Sequence, residues 1–441
     1  LISPLAAQQA RRSVFLLRRK RLHGSGFMRW RLIFLSVLLA PSAARADDFA
    51  LRDNDTVVFL GDSITAARTY GKIIENYTIL RFPERKMRFF NAGRGGDTMA
   101  GCLKRLDHDV FVHLPTVVIV AFGVNDIGWG LKADDEHKKN YLDGVRTLIA
   151  ECQKRKIRVF LCSAAVTAAD PAKSDNDFLQ KMCDEGMDLA RELGEKSIDV
   201  QRTMRAIQKK IWAHNDKLKD GAKKTMLHAA DGVHLSDLGQ LAMAYAILKG
   251  LDAPAEASSA RLDGQDPKRV KVSRCEITDI VIKDGRLEFT RLDRGLPFNY
   301  GLFYALNFAF VPFQDDLNRY VLQVDNLADE RYELVVDGRK VGTFAKQALA
   351  KGVNIASATG DAWQPGGPWD AQAQILKALT DARHDLAVAE MLANAHIKQG
   401  PLPLQMALRA PRTDNELIAL QRMVAQPRPY RFVLTPTKGK K

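Results

Sequence analysis

Four short blocks hold the side chains that could do chemistry. They are Gly61-Asp62-Ser63-Ile64-Thr65, Asn91-Ala92-Gly93-Arg94-Gly95-Gly96-Asp97-Thr98, Gly123-Val124-Asn125-Asp126 and Asp231-Gly232-Val233-His234. A serine hydroxyl becomes a nucleophile only when a base takes its proton. Ser63 is the candidate nucleophile and His234 the candidate base. Asp231, three residues before His234, could fix the tautomer of the imidazole. A tetrahedral intermediate places negative charge on the former carbonyl oxygen, and donors must meet it. The backbone N–H groups of Ser63 and Gly96 and the side-chain amide of Asn125 are the candidates. At Gly96, close approach of backbone to substrate would explain the missing Cβ. This set performs acyl transfer through a covalent acyl-enzyme.

Each block alone has a simpler reading. Gly-Asp-Ser can merely begin a helix, and a glycine run can be a flexible turn. The glycine run lacks the Lys-Ser/Thr of a phosphate loop and the spacing of a dinucleotide fingerprint. The order of all four decides. His108, His113 and His228 lack a comparable partner pattern and read as structural. Trp129, four residues after Asn125, is a candidate substrate-binding residue whose ring could stack on a sugar; hydrophobic packing is the competing role. Trp363 and Trp369 flank a Gln-Pro-Gly-Gly-Pro loop, and packing is the commoner role for both.

The blocks need a scaffold. Apolar, β-branched runs at 56–60, 87–90, 116–122 and 157–161 predict strands covered on both faces, with a weaker strand near 197–200. Helical patterns lie between them at 141–155, 177–193, 203–218 and 236–248, the last with Ser236 as N-cap. The expectation is a parallel α/β sandwich in which Ser63, Gly96 and Asn125 each follow a different strand to one rim. The segment 253–265 reads as a linker. Beyond it, hairpin signals at Asp284-Gly285 and Asp337-Gly338 predict a small antiparallel sheet. Helices near 369–397 and 414–425 and a closing strand near 431–434 complete the expected C-terminal region, residues 266–441.

The four blocks resemble the GDSL/SGNH hydrolase superfamily. By motif, Ser63 matches its nucleophile, Gly96 and Asn125 its oxyanion donors, and Asp231 with His234 its Asp-x-x-His. The match covers about residues 54–250, and Ile64-Thr65 stand where the family name has Leu. The resemblance implies a flavodoxin-like three-layer catalytic domain, residues 47–252, and ester hydrolysis with no metal or organic cofactor. Arg81-Phe82-Pro83, the 107–115 segment and the 341–356 region resemble exported bacterial members thought to act on polysaccharide acetyl groups. The implied reading is therefore an esterase removing short acyl groups, above all O-acetyl, from a small-molecule or polysaccharide ester. A lysophospholipase or arylesterase with the same triad is the alternative. An inactive carbohydrate-binding protein is a further one.

Composition fits a globular protein: 46% apolar and 27% charged residues. The net charge of +14 suggests a polyanionic partner, but residues 1–46 hold nine Arg or Lys and no acid. The remaining chain carries +5, fourteen less nine, which gives no case for nucleic-acid binding. Met28-Arg29-Trp30-Arg31, the apolar run Leu32–Ala40 and Ala44-Arg45-Ala46 read as a signal peptide over 28–46, with 1–27 as upstream sequence translated by mistake. The apolar run is too short to span a bilayer, so the expectation is export to the periplasm or beyond without stable membrane insertion. The five cysteines form no C-x-x-C pair. Cys162 lies in a predicted buried strand and reads as a small hydrophobe. Oligomeric state has no sequence signal.

Overall fold

The computed structural model describes residues 49–301, 307–357 and 366–437. The expected signal peptide and upstream segment, Trp363 and the last four residues lie outside these. The N-terminal half alternates strand and helix. In chain order it runs β1 (Thr56–Gly61), α1 (Ser63–Ala66), α2 (Thr69–Arg81), β2 (Arg88–Gly93), α3 (Met99–Cys102), α4 (Leu106–Asp109), β3 (Val117–Ala121), α5 (Asp135–Lys154), β4 (Arg158–Cys162), α6 (Phe178–Glu192), β5 (Lys196–Ile198), α7 (Val200–Asn215) and α8 (Asp237–Gly250). The five strands are parallel in the order β2-β1-β3-β4-β5. That is the flavodoxin-like order, with its switch point between β1 and β3.

The side-chain alternation of a strand explains the layers. Val57 and Phe59 of β1 join a core with α2, α7 and α8 on one face of the sheet. Val58 and Leu60 join a second core with α3, α5 and α6 on the other. Every residue of β3 is buried, as the continuous Val-Val-Ile-Val-Ala run requires.

The expected linker is not one. Residues 256–263 form β6 (Glu256–Asp263), whose Ala257, Ser258, Ala260 and Leu262 are buried. Small side chains suited that strand's crowded position, and their composition imitated a linker. The rest comprises β7 (Val270–Ser273), β8 (Cys275–Lys283), β9 (Arg286–Asp293), β10 (Arg319–Asp325), β11 (Arg331–Val336), β12 (Arg339–Ala345), β13 (Val353–Asn354), α9 (Pro368–His396), α10 (Leu402–Ala425) and β14 (Tyr430–Pro436), besides shorter helices. Two sheets form here. One is antiparallel, β12-β11-β14-β9-β8, and contains both expected hairpins. The other, β13-β10-β6-β7, pairs β10 parallel to β6. Helix α10 begins twelve residues before its expected start and runs through Pro411. Trp369 is fully buried against Tyr320, Tyr430 and Phe432, so its role is packing. All five cysteines are buried free thiols. No described helix is long and apolar enough to cross a membrane.

Candidate active site

The turn out of β1 sets Ser63. A Cβ on Gly61 would lie 2.1 Å from Thr65 Oγ1 and 2.6 Å from the Ala121 carbonyl oxygen, so only glycine allows it. Asp62 caps α1 by accepting the Ile64 N–H at 2.9 Å. Burial pushes the Asp62 pKa up to about 6. Ser63 is the first residue of α1, where backbone N–H groups have no acceptor within the helix. Arg68 adopts φ +66 and breaks α1 from α2.

The loop before α8 carries the base. Asp231 Oδ1 accepts the N–H groups of Val233 and His234, both at 2.9 Å. Its Oδ2 lies 2.6 Å from His234 Nδ1. The opposite ring nitrogen, Nε2, lies 2.8 Å from Ser63 Oγ. A carboxylate with three donors stays ionised: the His234 hydrogen bond, then the two backbone N–H groups, hold its pKa down to about 2. The loop is tied at both ends. His228 Nε2 lies 2.8 Å from the Val166 carbonyl oxygen, which can only accept, so that nitrogen carries the proton. Ser236 caps α8, accepting the Gly239 N–H at 3.3 Å.

Ser63, Gly96 and Asn125 follow β1, β2 and β3, which are neighbours in the sheet, so they meet at one rim. Gly96 has φ +72, and a Cβ there would meet nothing within 4 Å. The left-handed backbone at this position by itself favours glycine. Asn125 Nδ2 donates to the Asp97 carbonyl at 3.0 Å, which joins the second and third loops. Asn125 Oδ1 accepts from Trp129 Nε1 at 2.8 Å. Both contacts fix the amide's orientation and leave one N–H of Nδ2 for a ligand. Trp129 reaches this position with φ +59, rare for a residue with a side chain. Its ring stands edge-on to the His234 ring at 5.7 Å and is 49% exposed. Trp129 thus contacts both the candidate base and a candidate oxyanion donor.

Sequence reasoning missed Arg105. Its buried guanidinium donates to Asp97 Oδ2 at 2.6 Å, the Ala92 carbonyl at 2.7 Å and the Gly61 carbonyl at 3.2 Å. It clamps the Gly96 loop to the ends of β1 and β2. The only sequence hint was an acid and an arginine eight residues apart. Asp126, beside Asn125, accepts the Met99 N–H at 2.9 Å, and burial raises its pKa to about 7.

Residues 59–242 match the GDSL-like lipase/acylhydrolase family. Among solved structures, the chain is similar to BT4096, a gut microbial diltiazem-metabolizing enzyme, at 21% identity and a TM-score of 0.75, over 88% of this chain and 98% of that one. It is also similar to an acetylxylan esterase from Geobacillus stearothermophilus, Axe2, at 20% identity and a TM-score of 0.38, over 46% of this chain and 96% of that one. A third is LAE5, an alpha/beta hydrolase from the metagenome of Lake Arreo, at 21% identity and a TM-score of 0.37, over 46% and 98%. No curated protein sequence matches the chain. Residues 59–242 thus form a GDSL-like lipase/acylhydrolase domain, of the serine ester hydrolase type, within a chain whose fold is shared along most of its length with a solved structure.

Proposed function

We propose that the protein is an exported esterase that removes short acyl groups, chiefly O-acetyl, from carbohydrate, with Ser63, His234 and Asp231 as its triad. The observation that carries this reading is the chain of contacts Asp231 Oδ2–His234 Nδ1 at 2.6 Å and His234 Nε2–Ser63 Oγ at 2.8 Å. Ser63 Oγ attacks the ester carbonyl carbon and gives its proton to His234 Nε2. Asp231 balances the imidazolium charge. The N–H groups of Ser63 and Gly96 and the Asn125 amide hold the oxyanion. The C–O bond to the alcohol breaks, and the alcohol leaves with the proton from His234. Water then repeats the sequence on the acyl-enzyme and releases the acid. Trp129 stands edge-on to the imidazole beside the triad. The basic and apolar stretch at 28–40 supports export.

The test is acetate release by residues 47–441 from acetylated oligosaccharides and from p-nitrophenyl esters of rising chain length, with Ser63→Ala as the blank. Release from the sugar, and activity that collapses beyond short acyl groups, is the expected result. A preference for long chains would sink the acetyl assignment. Turnover by Ser63→Ala would sink the triad.

A further inference from the structure

A groove of about 1080 Å³ runs along the free edge of β2, between that strand and the α9–α10 pair. It is lined on the sheet side by Phe90, Gly93, Arg94 and His113, and on the helix side by His384, Glu390, Met391 and Asp414. Its lining includes Gly93 and Arg94, at the start of the loop that carries Gly96. Gly93 packs on α1, where a Cβ would lie 2.2 Å from the Ala66 nitrogen, and Arg94 stands two residues before Gly96. The volume is at the upper limit for small-ligand sites and exceeds what an acetyl group requires.

The charges in the groove are unevenly used. Arg94 is exposed and makes no ion pair or side-chain hydrogen bond among the described residues. Arg68 touches only His384 Nδ1, at 3.3 Å, with Asp385 as a more distant carboxylate. Arg88 binds Asn415 at 2.9 Å, lies 3.9 Å from Asp414, and keeps a buried Nε without a partner. Of the acids, Asp109 is held by Arg105 at 3.0 Å and Asp414 by Arg383 at 2.8 Å. Of the acids lining the groove, Glu390 alone lacks an ion pair in the described residues, and burial and then Asp414 raise its pKa above the ordinary value. Guanidinium donors are thus in surplus. Beside them, the Phe90 and His113 rings stack on each other at 4.1 Å and are half-buried, with the Arg88 guanidinium 5.6 Å from the Phe90 ring centre, and add apolar surface to the groove.

We propose that this groove binds the alcohol half of the ester, and that the alcohol is an oligosaccharide bearing carboxylates, with Arg94 and Arg68 as their ligands. The proposal rests on the esterase reading above. Arginine suits the task because its fork matches a carboxylate.

The test compares kcat/KM for acetylated oligogalacturonate and acetylated xylo-oligosaccharide of equal length, with p-nitrophenyl acetate as a third substrate. Wild type should prefer the uronate by about tenfold or more, mainly through KM. Arg68→Gln/Arg94→Gln should lose that preference, and Arg94→Gln, at an exposed position, should lose part of it without change in melting temperature. Raised salt should shrink it as well. Equal use of the two sugars, or a preference that survives in the double variant, overturns the groove assignment while p-nitrophenyl acetate is still cleaved. Failure to cleave p-nitrophenyl acetate overturns the esterase reading, and this proposal with it.

Discussion

At the scale of single residues, the site divides into groups marked by a short sequence block and groups whose contacts only the fold reveals. The triad and the oxyanion donors belong to the first kind, because each sits in a short block whose local turn positions it. Ser63→Ala should lower kcat by about 10⁴-fold or more and abolish labelling by a serine-reactive phosphonate, read by mass spectrometry. Asn125→Ala removes one oxyanion donor and should cost about 10²–10³-fold in kcat. Trp129 belongs to the second kind. Its nearness to Asn125 in sequence was visible, but the bond from Nε1 to the amide was not, since it depends on a left-handed backbone at position 129. Trp129→Phe keeps an aromatic ring, smaller than the indole, and deletes that donor. If the bond holds the amide in place, kcat should fall by about tenfold with little change in KM. The same change made on Asn125→Ala should then do almost nothing. Equal losses in both backgrounds would show that the ring, not its N–H, matters. Arg105 and His228 went unread as contributors because the bonds by which Arg105 grips the strand ends and His228 holds the loop go to backbone carbonyls, which carry no sequence signature.

At the scale of elements, the parallel sheet was legible because buried strands leave uninterrupted apolar runs. The linker at 253–265 was misread because alanine and serine serve both a loop and a crowded strand. The first half of α10 was obscured by Pro411 and its neighbours, since proline ordinarily ends a helix. The contact of β2 with α1 makes a sharp prediction. A Cβ on Gly93 would lie 2.2 Å from the Ala66 nitrogen, whereas one on Gly95 would meet nothing within 4 Å. Gly93→Ala must push α1, and Ser63 with it, so it should cost about 1–3 kcal/mol of stability and lower kcat. Gly95→Ala should change neither, as melting and initial-rate measurements would show. The loop after β3 adds a pH effect through Asp126. Its folded pKa, about 7, stands above the ordinary value of 3.8 because the carboxyl is buried. A group of this kind binds its proton more tightly in the folded state. Its stabilisation is complete below about pH 4 and is lost as pH rises through about 7. Asp126→Asn cannot ionise and escapes that loss. Its melting temperature relative to wild type should be several degrees more favourable at pH 8 than at pH 5. A constant difference would mean that the carboxyl titrates normally.

At the scale of the whole molecule, the C-terminal region is bound to the catalytic half by buried charge as well as by apolar packing. Glu75 on α2 is completely buried. Arg383 of α9 donates to one of its oxygens, His384 lies 3.1 Å from the other, and Gln421 of α10 donates at 2.9 Å. Arg68 has only donors to offer His384 Nδ1, so that nitrogen accepts and Nε2 carries the proton towards Glu75. Burial acts to raise the Glu75 pKa, but Arg383 and His384 outweigh it, and the carboxyl remains below its usual range. No pattern in the sequence joins position 75 to positions 383, 384 and 421; only the fold does. Arg383→Met would leave an ionised carboxylate inside the protein with one strong partner gone, which should cost about 3–5 kcal/mol in urea unfolding. Glu75→Gln/Arg383→Met removes both charges and should recover most of that loss, because a neutral buried pair has far less to desolvate. The carboxylate's contribution is present at neutral pH and is lost as pH falls through its depressed folded pKa, so the gap between single variant and wild type should narrow in acid. Apolar packing alone would make the two substitutions additive and the gap insensitive to pH. Cutting the chain after residue 252 would strand the same carboxylate together with the buried face of α2. The separated catalytic half should therefore fail to unfold as a cooperative unit, and its esterase activity should vanish with the helices that lie far from Ser63 in sequence.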